Sequence, residues 1–145
     1  EVHAQAQVMG QPVTAARQHY LHYHLPDTLR SYLQLGIRQD YTTAAPHALG
    51  FLHGMAQPFF WFDLQANRAT ELMRVPSMAM DRTLQRYLAL QPTEAEAALA
   101  PVVQETRRFG GHFVLILHNN TLAEADEWRG WSYVFWQLLA QLAAG

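Results

Sequence analysis

The chain contains no cysteine and no lysine. Without cysteine there are no disulfides, thiolate zinc sites or cysteine nucleophiles, and cysteine usage leaves the redox compartment open. Without lysine, Schiff-base and P-loop lysine chemistry are excluded as well. Charge is scarce: 15% of the residues are charged, the formal net charge is −2, and the 10 basic residues, all arginine, form no run or stripe. A phosphate backbone needs such a stripe, so nucleic acid is not an expected partner. Apolar runs all fall far short of the roughly 20 residues that span a bilayer. The opening "EVHAQAQVMG" has neither the basic start nor the apolar centre of a signal peptide. No membrane partner is expected, and the compartment is undetermined. What the chain does have is bulk, since half of its 145 residues are hydrophobic, enough for one ordinary domain with a core. It opens without methionine, as though already inside a domain.

Helix and strand signals alternate along it. Residues 1–9 read as a short helix stopped by Gly10, and "PVTAA" as a strand running into "RQHYLHYH". In "PDTLRSYLQLG", Leu29, Tyr32 and Leu33 share a helical face, with Asp27 as cap and Gly36 as stop. "IRQDY" is short and strand-like, whereas "TTAAPHALGFLHGMAQP" has no steady period and reads as loop. "FFWFDL" and "TELMRVP" flank "QANRA" as a hairpin would. Residues 81–90 suggest a helix. "TEAE", from Thr93 to Glu96, fits a capping box for another, whose packing face is Leu99, Val102, Val103 and Thr106 and whose end is Gly110. Pro101 costs about 3 kcal/mol in a helix interior, which predicts a kink or two abutting helices. Residues 113–117, "FVLIL", then read as a strand buried on both faces, as in a parallel sheet covered by helices. "TLAE", from Thr121 to Glu124, repeats the capping-box pattern before a last helix with Trp128, Trp131, Phe135, Leu138 and Leu142 on one side. Such alternation argues for an α/β sheet with crossover helices, whose ligands sit outside the carboxyl ends of the strands.

Candidate functional residues follow from that rule. His118 ends the last strand, where an imidazole is placed for acid–base work; the plain alternative is a histidine bonded to a loop carbonyl. Arg17 follows an earlier strand and suits a carboxylate, or a peripheral salt bridge. His19, His22 and His24 invite a metal reading, but on a strand His19 points away from the other two. Asp40 and Asp63 are strand-end carboxylates, available as orienting groups or bases, or else as caps and turn residues. The aromatics of "PFFWF" suit a sugar-stacking platform, while those of "WRGWSYVFW" have the spacing of a helix core.

Taken in order, "PDTLRSYLQLGI", "DYT", "PFFWFDL", "MDRTLQRY", "GGHFVLILHN" and "WRGW" resemble a bacterial subgroup of the polysaccharide deacetylase family, the carbohydrate esterases of family four. The resemblance covers nearly the whole chain. It implies a partial (β/α) deacetylase-type barrel, mostly parallel, with crossover helices and one hairpin insertion. Residues 1–145 would form a single domain that is the carboxyl-terminal part of a larger one. It also implies roles: Arg17 orients the catalytic aspartate, the Tyr20 amide is an oxyanion donor, Asp40 fills the acidic strand end of the fourth motif, and His118 in "LILH" is the general acid. The family's activity, removal of acetyl groups from an acetylated glycan, uses a divalent metal, usually zinc, and an aspartate base. These belong to an Asp-Asp pair and a His-x-x-x-His pair, neither of which occurs in this sequence. The chain alone is therefore expected to hold no metal and to be inactive. His19 and Leu52, and the loop "AAPHA", also depart from the subgroup's pattern.

Two other readings stay open. One is a non-catalytic carbohydrate-binding or structural module with a degenerate deacetylase fold; the other is a small metalloprotein using His19, His22 or His24 with Asp40. A half-barrel would leave a raw sheet edge, which predicts self-association.

Overall fold

A computed structural model describes residues 2–143. Glu1, the first residue of the expected amino-terminal helix, lies outside the described residues, and α1 runs over Val2–Met9. The chain divides into two compact units, Glu1–Ala44 with Gln57–Pro76, and Ala45–Ala56 with Ser77–Gly145. Helix and strand are mixed and most strand pairs are parallel, while neither sheet closes into a barrel among the described residues.

The first unit holds a four-stranded sheet. Its strands are β1 (Ala15–Ala16), β2 (Gln39–Asp40), β3 (Phe59–Asp63) and β4 (Arg68–Arg74), in the order β1-β2-β4-β3. The pairs β1/β2 and β2/β4 are parallel, whereas β3 and β4 form the expected antiparallel hairpin. The crossover from β1 to β2 carries α2 (Asp27–Gln34), which buries Leu29 and Tyr32 beside Ile37 and Leu72. Gly36, with φ of 79°, ends it as its lack of a Cβ allows. Asp27 is not its cap: Pro26 holds that position without a side-chain bond, and the Thr28 hydroxyl instead accepts from the His24 amide at 3.0 Å. "RQHYLHYH" does not continue β1 as a strand. It turns into a 3-10 segment over His19–Leu21 in which Tyr20 and Leu21 have φ of 56° and 57°, so strand alternation does not govern its histidines.

The second unit pairs β5 (Ala79–Met80) with β6 (Leu115–Ile116) in parallel. The crossover between them is α3 (Pro92–Arg108), and α4 (Trp131–Ala143) follows β6. Leu84, Leu99, Trp131 and Phe135 are central to the core that the two helices share. The helix expected over residues 81–90 is shorter: residues 81–82 are α-helical and continue into a π-type segment over Thr83–Tyr87. In α3 the capping box lies at Gln91 and Glu94 instead of Thr93 and Glu96, because Pro92 takes the first helical position, where its missing amide costs nothing. Pro101 does not divide α3, which continues as one helix of 17 residues. Pro101 and Ala97 face outward, so water can reach the carbonyl that the proline leaves unbonded. Gly110, with φ of 61°, closes it. The strand read over residues 113–117 pairs only at Leu115–Ile116, and of those five residues only Ile116 is fully buried.

The last helix also differs. "TLAE" falls in a 3-10 segment over Asn119–Ala123, a second follows over Asp126–Trp128, and α4 begins only at Trp131. Glu124, at φ of 54°, still caps it from a distance, accepting the amides of Gly130 at 2.6 Å and Ser132 at 2.8 Å.

Candidate acid–base site

β5 and β6 end side by side, with Met80 opposite Ile116. The residue after β5 is Asp81, and His118 stands two residues beyond β6. Two short parallel strands therefore deliver a carboxylate and an imidazole to one carboxyl edge. Asp81 Oδ1 lies 2.7 Å from His118 Nδ1, and Asp81 Oδ2 accepts the His118 amide at 2.6 Å. The Thr121 hydroxyl donates to Oδ2, and the Arg82 amide to Oδ1 at 2.6 Å. Both carboxylate oxygens act as acceptors, so Nδ1 is the protonated ring nitrogen and Nε2 is left for other partners. Asp81 and Thr121 are fully buried, whereas the His118 side chain is 32% exposed. His118 is thus not bonded to a loop carbonyl; it is oriented by a buried carboxylate and open on its far side. Such an imidazole can exchange a proton at Nε2 while Asp81 holds the ring in place through Nδ1.

The turn beyond Asp81 is pinned as well. Arg82 pairs with Glu127 at 2.8 Å, and its guanidinium lies 5.0 Å from the centre of the Trp128 ring. Asp81 was not singled out from sequence as a site residue, and Thr121 was read only as a helix cap. The available signal was a short apolar pair followed at once by an acid, "AMD", which the helical reading of residues 81–90 absorbed.

Arg17, Tyr20 and Asp40 lie in the first unit. Ala16, Asp40 and Arg74 are in register on three neighbouring parallel strands, and exposed Arg17 is one residue past β1, so all belong to that sheet's carboxyl edge. Asp40 is fully buried and committed to its own neighbours: Arg74 Nε lies 3.1 Å from Oδ2, and the Thr42 amide donates to Oδ1 at 2.9 Å. Arg74 also donates to the Thr43 hydroxyl, and Tyr23 covers its guanidinium at 5.1 Å. Tyr20 sits in the left-handed turn after Arg17, with 80% of its surface exposed. Asp63 takes its structural alternative: it accepts from Arg30 at 2.7 and 2.9 Å and from the Ala66 amide at 3.0 Å, tying α2 to the hairpin. Arg30 above all, then the Ala66 amide, holds its carboxyl below the ordinary range.

Among the described residues no three His, Asp or Glu side chains are grouped to hold a metal ion. On β3, Phe60 and Phe62 face outward and are 60% and 46% exposed, while Trp61 packs on the first core. Trp131 and Phe135 are core residues, as their spacing suggests. No family model, curated protein or solved structure matches the chain.

Proposed function

We propose that the chain is the carboxyl-terminal part of a polysaccharide deacetylase-like domain in which His118 serves as general acid. The observation that carries this is the Asp81–His118 pair, formed at the carboxyl edge of parallel strands by the histidine of "LILH". With Nδ1 bonded to Asp81, protonated His118 presents Nε2–H to the leaving amine or alcohol of an acetylated sugar and transfers its proton as the bond to the acetyl carbon breaks. The buried Asp81 carboxylate holds the ring's orientation before and after transfer. Arg17 as orienter, the Tyr20 amide as oxyanion donor, Asp40 as the acidic strand end and the deacetylase-type barrel itself rest on the resemblance. The same resemblance assigns the metal and the base to the two motifs this sequence lacks, so the chain by itself releases no acetate. The test is acetate release from acetylated glycans by the full-length protein that contains this sequence: His118→Ala abolishes it under this proposal. Release unaffected by that change removes His118 from the reaction.

A second reading has its own support in Phe60 and Phe62. Two outward aromatics at i and i+2 on one strand lie about 7 Å apart and offer their faces to sugar rings. A carbohydrate-binding module would bind glycan without releasing acetate, lose binding in the Phe60→Ala/Phe62→Ala double variant, and be indifferent to His118→Ala.

A further inference from the structure

Thr121 opens the sequence pattern "TLAE", yet its hydroxyl caps no helix. It is fully buried and donates to Asp81 Oδ2, 40 residues away in sequence. Its own amide donates to the His118 carbonyl at 3.1 Å, so the 3-10 segment after His118 folds back to put that hydroxyl beside the carboxylate. A carboxylate can rotate about its Cβ–Cγ bond and exchange its two oxygens. Here Oδ2 is held by two donors from the His118 segment, the His118 amide and the Thr121 hydroxyl. That leaves Oδ1 to the Arg82 amide and to His118 Nδ1.

We infer that Thr121 is the positioning residue of this pair: its hydroxyl fixes the Asp81 carboxylate, which in turn fixes the His118 tautomer with the proton on Nδ1 and Nε2 free. The role deepens the acid–base reading of His118 and rests on it. It also explains why α4 starts nine residues later than the capping pattern suggests, since the threonine that would have capped it is used at the site. Because Thr121 is fully buried, water does not replace its hydroxyl when that is removed.

The test is imidazole 15N NMR on the full chain, with thermal melting alongside. Wild-type His118 is expected in the Nδ1–H form, with a slowly exchanging Thr121 hydroxyl proton that shows a nuclear Overhauser effect to the proton on Nδ1. Thr121→Val is expected to shift the tautomer ratio toward Nε2–H by about tenfold or more, the size of a lost hydrogen bond to a charged group. Thr121→Ser, which keeps the hydroxyl, restores the wild-type ratio even where it lowers the melting temperature. A folded Thr121→Val protein with the wild-type ratio overturns the inference, as does a Thr121→Ser protein that behaves like Thr121→Val. Should the valine variant not fold, the wild-type hydroxyl decides: rapid exchange with water overturns the role. Acetate release is read separately, so a tautomer lock without hydrolysis counts against the deacetylase reading and leaves the positioning role intact.

Discussion

Asp81 is the most consequential single residue in the second unit, because one buried carboxylate receives two backbone amides, a hydroxyl and an imidazole. Asp81→Asn preserves size but replaces one acceptor oxygen by a donor, which opposes donors already in place. We expect a loss of about 2 kcal/mol or more in urea denaturation, the range for hydrogen bonds to charged groups, together with a mixed His118 tautomer. A variant with wild-type stability and a pure Nδ1–H form contradicts the account. At this scale the sequence was half legible. His118 stood out because it ends a conspicuous apolar run, and a strand end is where a site residue belongs. Its partner did not, since 37 residues separate the two and only the β5/β6 register brings them together. Asp40 shows the converse: a strand-end acid was correctly noticed, but the arginine that occupies it, Arg74, was hidden at the end of the hairpin strand, which only the sheet register places beside β2.

At the scale of elements, local periodicity was the reliable guide. The faces of α2, α3 and α4 came out as their spacing implied, because burial on one side of a helix leaves a repeat in the sequence itself. Boundaries failed where a side chain had a competing long-range partner, as with Thr121, or where a proline shifted the capping frame, as at Pro92. Two elements carry measurable predictions. Asp63 ties α2 to the hairpin with its carboxyl held below the ordinary value of 3.8 by Arg30. A depressed folded value means that this contribution is fully present above the unfolded value and is lost as pH falls through the folded one. The first unit should therefore loosen in acid below about pH 4, followed at the Trp61 indole resonance, and Asp63→Asn should remove that part of the transition; an unchanged acid midpoint contradicts this. Gly111, just after α3, is packed so closely that an added Cβ would meet the Ala56 carbonyl oxygen at 2.7 Å as well as the Ala56 side chain. Because backbone must yield, Gly111→Ala should cost about 1–3 kcal/mol in denaturant unfolding. A neutral substitution would show that the loop over Ala45–Ala56 moves freely against α3.

For the whole molecule, the parallel pairs and their crossovers were readable because helix and strand signals alternate, and that pattern admits few connections. Strand lengths were not. Several strands pair over only two residues, and pairing depends on a neighbour's register, which no local run reveals. In the first unit β1 and β3 are the outer strands, and β3 presents Phe60 and Phe62 outward. Exposed aromatics on an outer strand promote association with a second copy, so sedimentation should show mass rising with concentration, and Phe62→Lys should shift it toward the monomer. A protein that stays monomeric at high concentration contradicts this. The central claim, that His118 is the acid of a glycan deacetylase, is tested most directly by acetate release from an acetylated glycan by the full-length protein, wild type beside His118→Ala. The account predicts release from the wild type and none above background from the variant; equal release from both, or glycan binding without any release, would contradict it.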